Sequence, residues 1–243
     1  MSCSIFLFNF IGCQNFKKEK KEALEYLEDK YGKEFELNGN FKSVYGDEFY
    51  QSPEKDIEAW PKDNSKEVFT LRLYPEGYFK DNYQNITMKP YVDDYLYNMV
   101  KEYWSDSKTF VYLRLGLVEK KFENNEYLEF LTEGKVNIVL NIFIKYDDSI
   151  NIDKESNKIK SFCDYFKDIG LNGQINIMYT SRYISENEVN YDLWDILKNE
   201  GVSQKECMIE CGKYYYDKKE EITTEIIKKQ LENDPWRKKD EGK

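Results

Sequence analysis

The chain has 243 residues, 36 of them basic and 46 acidic, with no histidine and a formal net charge of −10. The lack of histidine excludes Ser-His-Asp and Cys-His nucleophile systems, His-ligated zinc or haem and imidazole proton shuttles. The acidity argues against a nucleic-acid partner, because neutralising phosphates requires a basic surface. A composition of 40% hydrophobic and 34% charged residues is that of a folded chain, long enough to bury a core without disulfide staples. The 21 Tyr and 15 Phe are expected mainly in core and sheet positions, with a Tyr-lined groove as the alternative.

Residues 5–12 read Ile-Phe-Leu-Phe-Asn-Phe-Ile-Gly, followed by Cys13 and the charged run Lys17-Lys18-Glu19-Lys20-Lys21-Glu22. The apolar run is too short to span a bilayer, which takes about 20 residues as a helix. It is long enough for the apolar region of a signal peptide, although no Lys or Arg precedes it. Phe10-Ile11-Gly12-Cys13 resembles a bacterial lipobox, and by that resemblance Cys13 becomes the lipidated first residue of a mature chain. The acyl chains would supply the buried methylenes that stable anchoring needs. A β-strand over Ser4–Ile11, buried in a sheet, is the competing reading.

Helical spacing of Ala23, Leu24, Leu27 and Tyr31 predicts a helix over Lys17–Tyr31, ended by Gly32. Phe35, Leu37 and Phe41 then alternate, predicting a strand or a hairpin around Asn38-Gly39. Val44–Trp60 reads as irregular, and Pro61–Ser65 as a loop. Glu67–Tyr74 reads as a strand closed by Pro75-Glu76-Gly77, and Asp81-Asn82-Tyr83 as an Asx-type turn. A helix is expected over Val92–Trp104, a strand over Thr109–Val118 and a short helix over Asn125–Leu131, stopped by Gly134. Lys135–Tyr146 is apolar almost throughout and should be a strand buried on both faces. Beyond it are predicted a helix over Asp153–Ile169 with Asp153 as N-cap, a strand over Gln174–Tyr183 and a helix over Val189–Asn199. The last elements are a strand over Glu206–Tyr216 and a helix over Glu220–Glu232.

This order implies an α+β fold: mixed, largely antiparallel sheets packed with five to six helices. The expected organisation is a signal over residues 1–13 and an N-terminal α+β subdomain over 14–118. A C-terminal α/β-alternating subdomain follows over 119–234, then a polar tail over 235–243.

Of Cys3, Cys13, Cys163, Cys207 and Cys211, the pair Cys207 and Cys211 has the wrong spacing for a redox C-x-x-C and lacks the other ligands of a metal site. On a strand the two lie about 13 Å apart, beyond disulfide reach. Buried free thiols are therefore expected. Asp93-Asp94, Asp147-Asp148 and Glu220-Glu221 are the candidates for carboxylate acid–base chemistry, but adjacent residues point apart. Asp147-x-Ser149-x-Asn151-x-Asp153 starts like a calcium loop, but Ile152 and Lys158 stand where Gly and Glu belong. Asn85-Ile86-Thr87 is a formal glycosylation sequon of no consequence in a bacterium. Tyr214-Tyr215-Tyr216 alternates across a strand and reads as a binding surface or an edge. No metal or cofactor is expected.

The segment Lys21–Glu36, with its core Ala23-Leu24-Glu25-Tyr26-Leu27-Glu28-Asp29-Lys30-Tyr31-Gly32, is followed by Trp60-Pro61-Lys62-Asp63-Asn64, Val68–Tyr74 and Asp81-Asn82-Tyr83. Together these resemble small, uncharacterised lipoproteins and membrane-anchored extracytoplasmic proteins of Gram-positive bacteria and their relatives, over about residues 20–115. That family has no established activity or catalytic residues to carry over. Some such lipoproteins act as immunity proteins against secreted toxins, an analogy at the level of the group. The lipobox-like Phe10–Cys13, the charged tether behind it, the acidity and the lack of catalytic residue types lead to the expectation of a non-enzymatic, surface-anchored protein, lipidated at Cys13, whose acidic domain binds a protein partner such as a basic toxin. The alternatives are a cytoplasmic acidic binding or immunity protein without an anchor, and a carboxylate-dependent hydrolase of cell wall or glycans.

Overall fold

The structure is a computed structural model, described here for residues 6–45, 51–145, 151–180, 208–215 and 223–232. It is an α+β fold with two four-stranded sheets and, among the described residues, six helices. The chain divides into two units. The first comprises residues 1–88 and 115–123, and the second 89–114 and 124–243. The boundary thus falls elsewhere than at residue 118: the third helix and most of the fifth strand belong with the second unit.

The first unit opens with α1 (Phe6–Tyr31). The helix starts earlier than residue 17, and it replaces the strand considered over Ser4–Ile11: residues 6–11 are helical and join no sheet. From Lys17 onward charged side chains cover the outer side, while Ala23 and Leu27 are fully buried at i, i+4 spacing. Gly32, at φ +70°, ends the helix in the left-handed conformation that glycine tolerates.

Four antiparallel strands follow in the order β1 (Phe35–Ser43), β2 (Lys55–Pro61), β3 (Phe69–Leu73) and β4 (Phe79–Asp81). Asn38-Gly39 does not turn a hairpin. The β1–β2 register shifts between Asn38 and Lys42, so the dipeptide forms an irregularity within one strand, with Gly39 at φ +70°. β2 lies in a stretch expected to be irregular. Ile57, Ala59 and Pro61 are buried, and Asp56, Glu58 and Trp60 occupy the alternate positions. The core of this unit joins Ala23 and Leu27 to Phe35, Phe41, Ile57, Ala59, Phe69, Leu71, Phe79 and Tyr83. α2 (Gln84–Thr87) closes the first stretch of the unit.

The second unit begins with α3 (Lys89–Tyr103), which buries Val92, Leu96, Met99 and Val100. β5 (Lys108–Leu115), α4 (Tyr127–Glu133), β6 (Val136–Lys145), α5 (Ile152–Asp168), β7 (Asn172–Thr180), β8 (Met208–Tyr215) and α6 (Thr224–Glu232) complete it. The strand order is β5-β6-β7-β8. β6 and β7 are parallel and β7 and β8 antiparallel. A parallel pair requires a crossover, and α5 supplies it. β6 is buried on both faces as its sequence predicts: Val136, Ile138, Leu140 and Ile142 on one side, Val139 and Phe143 on the other.

Gly173 permits the close approach of β7 to β6. At φ +154°, a Cβ on it would sit 1.9 Å from the Ile138 carbonyl oxygen. α5 turns Ile159, Phe162, Cys163 and Phe166 inward, as its periodicity predicts. Its N-cap, however, is Asn151, whose side chain accepts from the Lys154 N–H, and not Asp153, which lies in the first turn.

Candidate functional site

Two buried carboxylates organise the polar chemistry of the described residues, one in each unit. In the first unit, Asp81 ends β4 with no exposure. Its Oδ1 accepts from the Tyr31 hydroxyl at 2.7 Å and the Tyr83 backbone N–H at 2.9 Å. Its Oδ2 accepts from the Tyr26 hydroxyl at 3.0 Å and Lys30 Nζ at 2.8 Å. The bond to the Tyr83 N–H is the Asx turn expected of Asp-Asn-Tyr. Tyr26, Lys30 and Tyr31 come from the last turns of α1, where their spacing puts all three over the end of β4.

Lys30 spends all three of its donors. Besides Asp81, they go to the Tyr26 hydroxyl at 3.0 Å and the Val118 carbonyl at 2.7 Å. Asp81 and Val118 also form an isolated antiparallel bridge, with the Val118 N–H donating to Asp81 O at 2.8 Å. Three residues on, Gln84 repeats the pattern with a side chain. Its Nε2 donates to the Phe122 carbonyl at 2.7 Å and its Oε1 accepts from the Phe122 N–H at 3.0 Å. The segment 115–123 is therefore strapped onto its unit by Asp81, Lys30 and Gln84. Tyr83 extends the network outward, donating to Glu67 at 2.8 Å and accepting from Lys33. Its ring meets Tyr31, Phe35 and Phe69.

Burial pulls the Lys30 ammonium below the usual lysine value, more than the attraction of Asp81 raises it. Burial, with Asp81 beside them, holds the Tyr26 and Tyr31 phenols far above the ordinary tyrosine range. Burial followed by the bond to Glu67 does the same for Tyr83. With four donors on one carboxylate and three acceptors on one ammonium, no lone pair or proton is left over for a substrate. The arrangement is a clasp.

In the second unit, Glu155 on α5 accepts at Oε1 from Trp104 Nε1 at 2.5 Å and the Tyr179 hydroxyl at 2.6 Å. Lys158 lies 3.1 Å from Oε2. The Trp104 and Tyr103 rings pack on Phe162, and the Tyr95 phenol on α3 is raised by burial and then by Tyr165 of α5. On the sheet, Asn176 donates to Asn141 at 2.7 Å and accepts from Gln174 at 2.6 Å, an amide ladder across β6 and β7.

The residues marked out by sequence fare differently. Cys13 lies within α1 as backbone, and its side chain is outside the described residues. Cys163 is buried and in no disulfide. Cys211 and Tyr214-Tyr215 lie on β8 as backbone only, and Cys3, Cys207 and Tyr216 are outside the described residues. Asp93 and Asp94 do not form an acid–base pair. Asp93 takes both oxygens to Lys89 at 2.7 Å, with its carboxyl raised by burial, while Asp94 is exposed. Asp147-Asp148, Ser149 and Glu220-Glu221 are outside the described residues, as are the helix expected over Val189–Asn199 and the tail from Pro235. Of the calcium-like run, Asn151 caps α5 and Asp153 pairs with Lys228 at 2.6 Å. Among the described residues, no three His, Cys, Asp or Glu side chains gather as metal ligands, and no helix is long and apolar enough to cross a membrane.

Sequence reasoning missed Tyr26, Lys30, Gln84, Trp104 and Glu155. The one available signal was Asp81 in an Asp-Asn-Tyr turn after an apolar strand. No protein-family model matches the chain, and no curated protein matches it by sequence. Among solved structures, the chain aligns with a DUF5037 family protein from Ruminococcus gnavus ATCC 29149 at 12% identity and a TM-score of 0.37, covering 87% of this chain and 98% of that one.

Proposed function

We propose that this chain is a lipid-anchored binding protein. Cys13 carries the lipid, and the acidic body behind it engages a basic protein partner in the manner of a toxin-immunity factor. The observation that carries the reading is Phe10-Ile11-Gly12-Cys13 directly ahead of a charged helical stretch. The first fully buried side chain described in α1 is Ala23, ten positions beyond Cys13. That spacing leaves a polar stem between an acylated cysteine and the core. The saturation of Asp81 and Glu155 by structural donors favours recognition by surfaces over reaction chemistry.

The test is metabolic labelling with an alkyne palmitate analogue in a host that processes lipoproteins, comparing wild type with Cys13→Ala. The wild type should be labelled and sediment with membranes, and Cys13→Ala should lose both properties. Equal labelling of the two, or none in either, removes the anchor. An unprocessed protein retaining Met1 would place the chain inside the cell.

A further inference from the structure

The strap, residues 115–123, is gripped by its main chain. The Val118 N–H donates to Asp81 O at 2.8 Å, the Asp81 N–H donates to Val118 O at 3.3 Å, and Lys30 Nζ donates to the same oxygen at 2.7 Å. One side-chain amide, that of Gln84, reads both peptide groups of Phe122, accepting from its N–H at 3.0 Å and donating to its C=O at 2.7 Å. Val118 and Phe122 point inward, at 5% and 4% exposure, while Glu119, Lys120, Lys121 and Glu123 are exposed. β4, against which the strap lies, is three residues long and stands at the edge of its sheet.

An edge strand offers unpaired N–H and C=O groups to any extended segment. Donors and acceptors aimed at peptide groups give affinity, and pockets for a few side chains give selectivity. Lys30, Asp81 and Gln84 supply the first, and the burial of Val118 and Phe122 supplies the second. The groove is thus a peptide site that the chain fills with its own residues. No element of the first unit carries the occupant, because the residues before 115 and after 123 belong to the second unit. The strap of a second molecule brings the same groups to the same groove. Occupancy in cis and in trans then uses the same bonds and differs in effective concentration. We infer that the first unit holds an exchangeable peptide site, read by Lys30, Asp81 and Gln84, whose partner in trans is the strap of a second copy of this chain, so that two copies pair by trading straps.

The probe is a fluorescein-labelled peptide of residues 114–124, titrated by anisotropy into the full chain made without lipid as Cys13→Ser. Val118→Ala with Phe122→Ala loosens the chain's own strap and leaves Lys30, Asp81 and Gln84 in place. This variant should bind the peptide at least about tenfold more tightly than the chain with an intact strap, which competes at about millimolar effective concentration. Adding Gln84→Ala should weaken binding about tenfold through the loss of two bonds. A peptide with Val118→Ala and Phe122→Ala should also bind about tenfold more weakly. Circular dichroism checks the fold of each variant. If the alanine pair unfolds, the chain with its strap intact carries the test. By light scattering it should dimerise as its concentration approaches about 1 mM, and excess unlabelled strap peptide should return it to monomer. A chain that stays monomeric at that concentration, a folded alanine pair that does not bind the peptide, or binding that Gln84→Ala leaves unchanged overturns the proposal. Neither readout involves the lipid or a basic partner, so the result stands apart from that of the palmitate experiment.

Discussion

Asp81 and Lys30 show how much a single pair of side chains can determine. Their charges are withdrawn from water, with side-chain exposures of 0% and 6%, at a desolvation cost that good geometry and full hydrogen bonding offset. Removing one partner strands the other. Lys30→Met should therefore destabilise the protein by about 3–5 kcal/mol, read from urea unfolding. Tyr31→Phe, which removes one bond to the buried carboxylate, should cost about 1.5–3 kcal/mol.

The same cluster sets the alkaline limit. Tyr26, Tyr31 and Tyr83 are raised above the ordinary value of 10.0. Each therefore contributes stability that is complete below pH 10 and is lost as the pH climbs beyond it, because only the unfolded chain ionises there. Lys30, lowered from 10.5, acts oppositely: its penalty fades as the pH approaches 10.5. One lysine against three tyrosines leaves the balance falling. Phenolate absorbance near 295 nm and loss of ellipticity should rise together above pH 10. Ionisation of all the tyrosines in a protein that stays folded would contradict the burial of these three. Tyr95, raised to about 12 by burial and then by Tyr165, belongs to the same alkaline group.

Among the elements, the tightest constraint is between β6 and β7. Gly173→Ala places a methyl against the Ile138 carbonyl, which backbone cannot yield without breaking the parallel register. A loss of about 3 kcal/mol or more is expected in thermal or urea melts. Asn151→Ala should cost only about 1 kcal/mol, the usual worth of an N-cap. Periodicity made the long elements legible: β6 from its unbroken apolar run, α5 from Ile159, Phe162, Cys163 and Phe166, and the end of α1 from Gly32. It failed where burial is shallow or borrowed. β2 offers only Ile57, Ala59 and Pro61 to the core between charged residues, so its pattern looks like loop. β4 is three residues long. Asn38-Gly39 has the chemistry of a hairpin turn, but the partner of β1 is β2, much farther along the chain. Lys30, Tyr26 and Tyr31 look like the wet side of an amphipathic helix, and only the arrival of Asp81 from 50 residues away makes them interior. No local pattern encodes that meeting.

For the whole molecule, charge is the dominant property. With no histidine and an isoelectric point near 4.9, no unperturbed side chain titrates between about pH 6 and 8. The first unit is also discontinuous: its strap, residues 115–123, follows a visit of the chain to the second unit. Lys30 and Gln84 are synthesised long before Val118 and Phe122, whose backbone groups complete their bonds. A chain that folds from its amino-terminal end therefore leaves α1 and its sheet with two unmet polar anchors until residues 115–123 return.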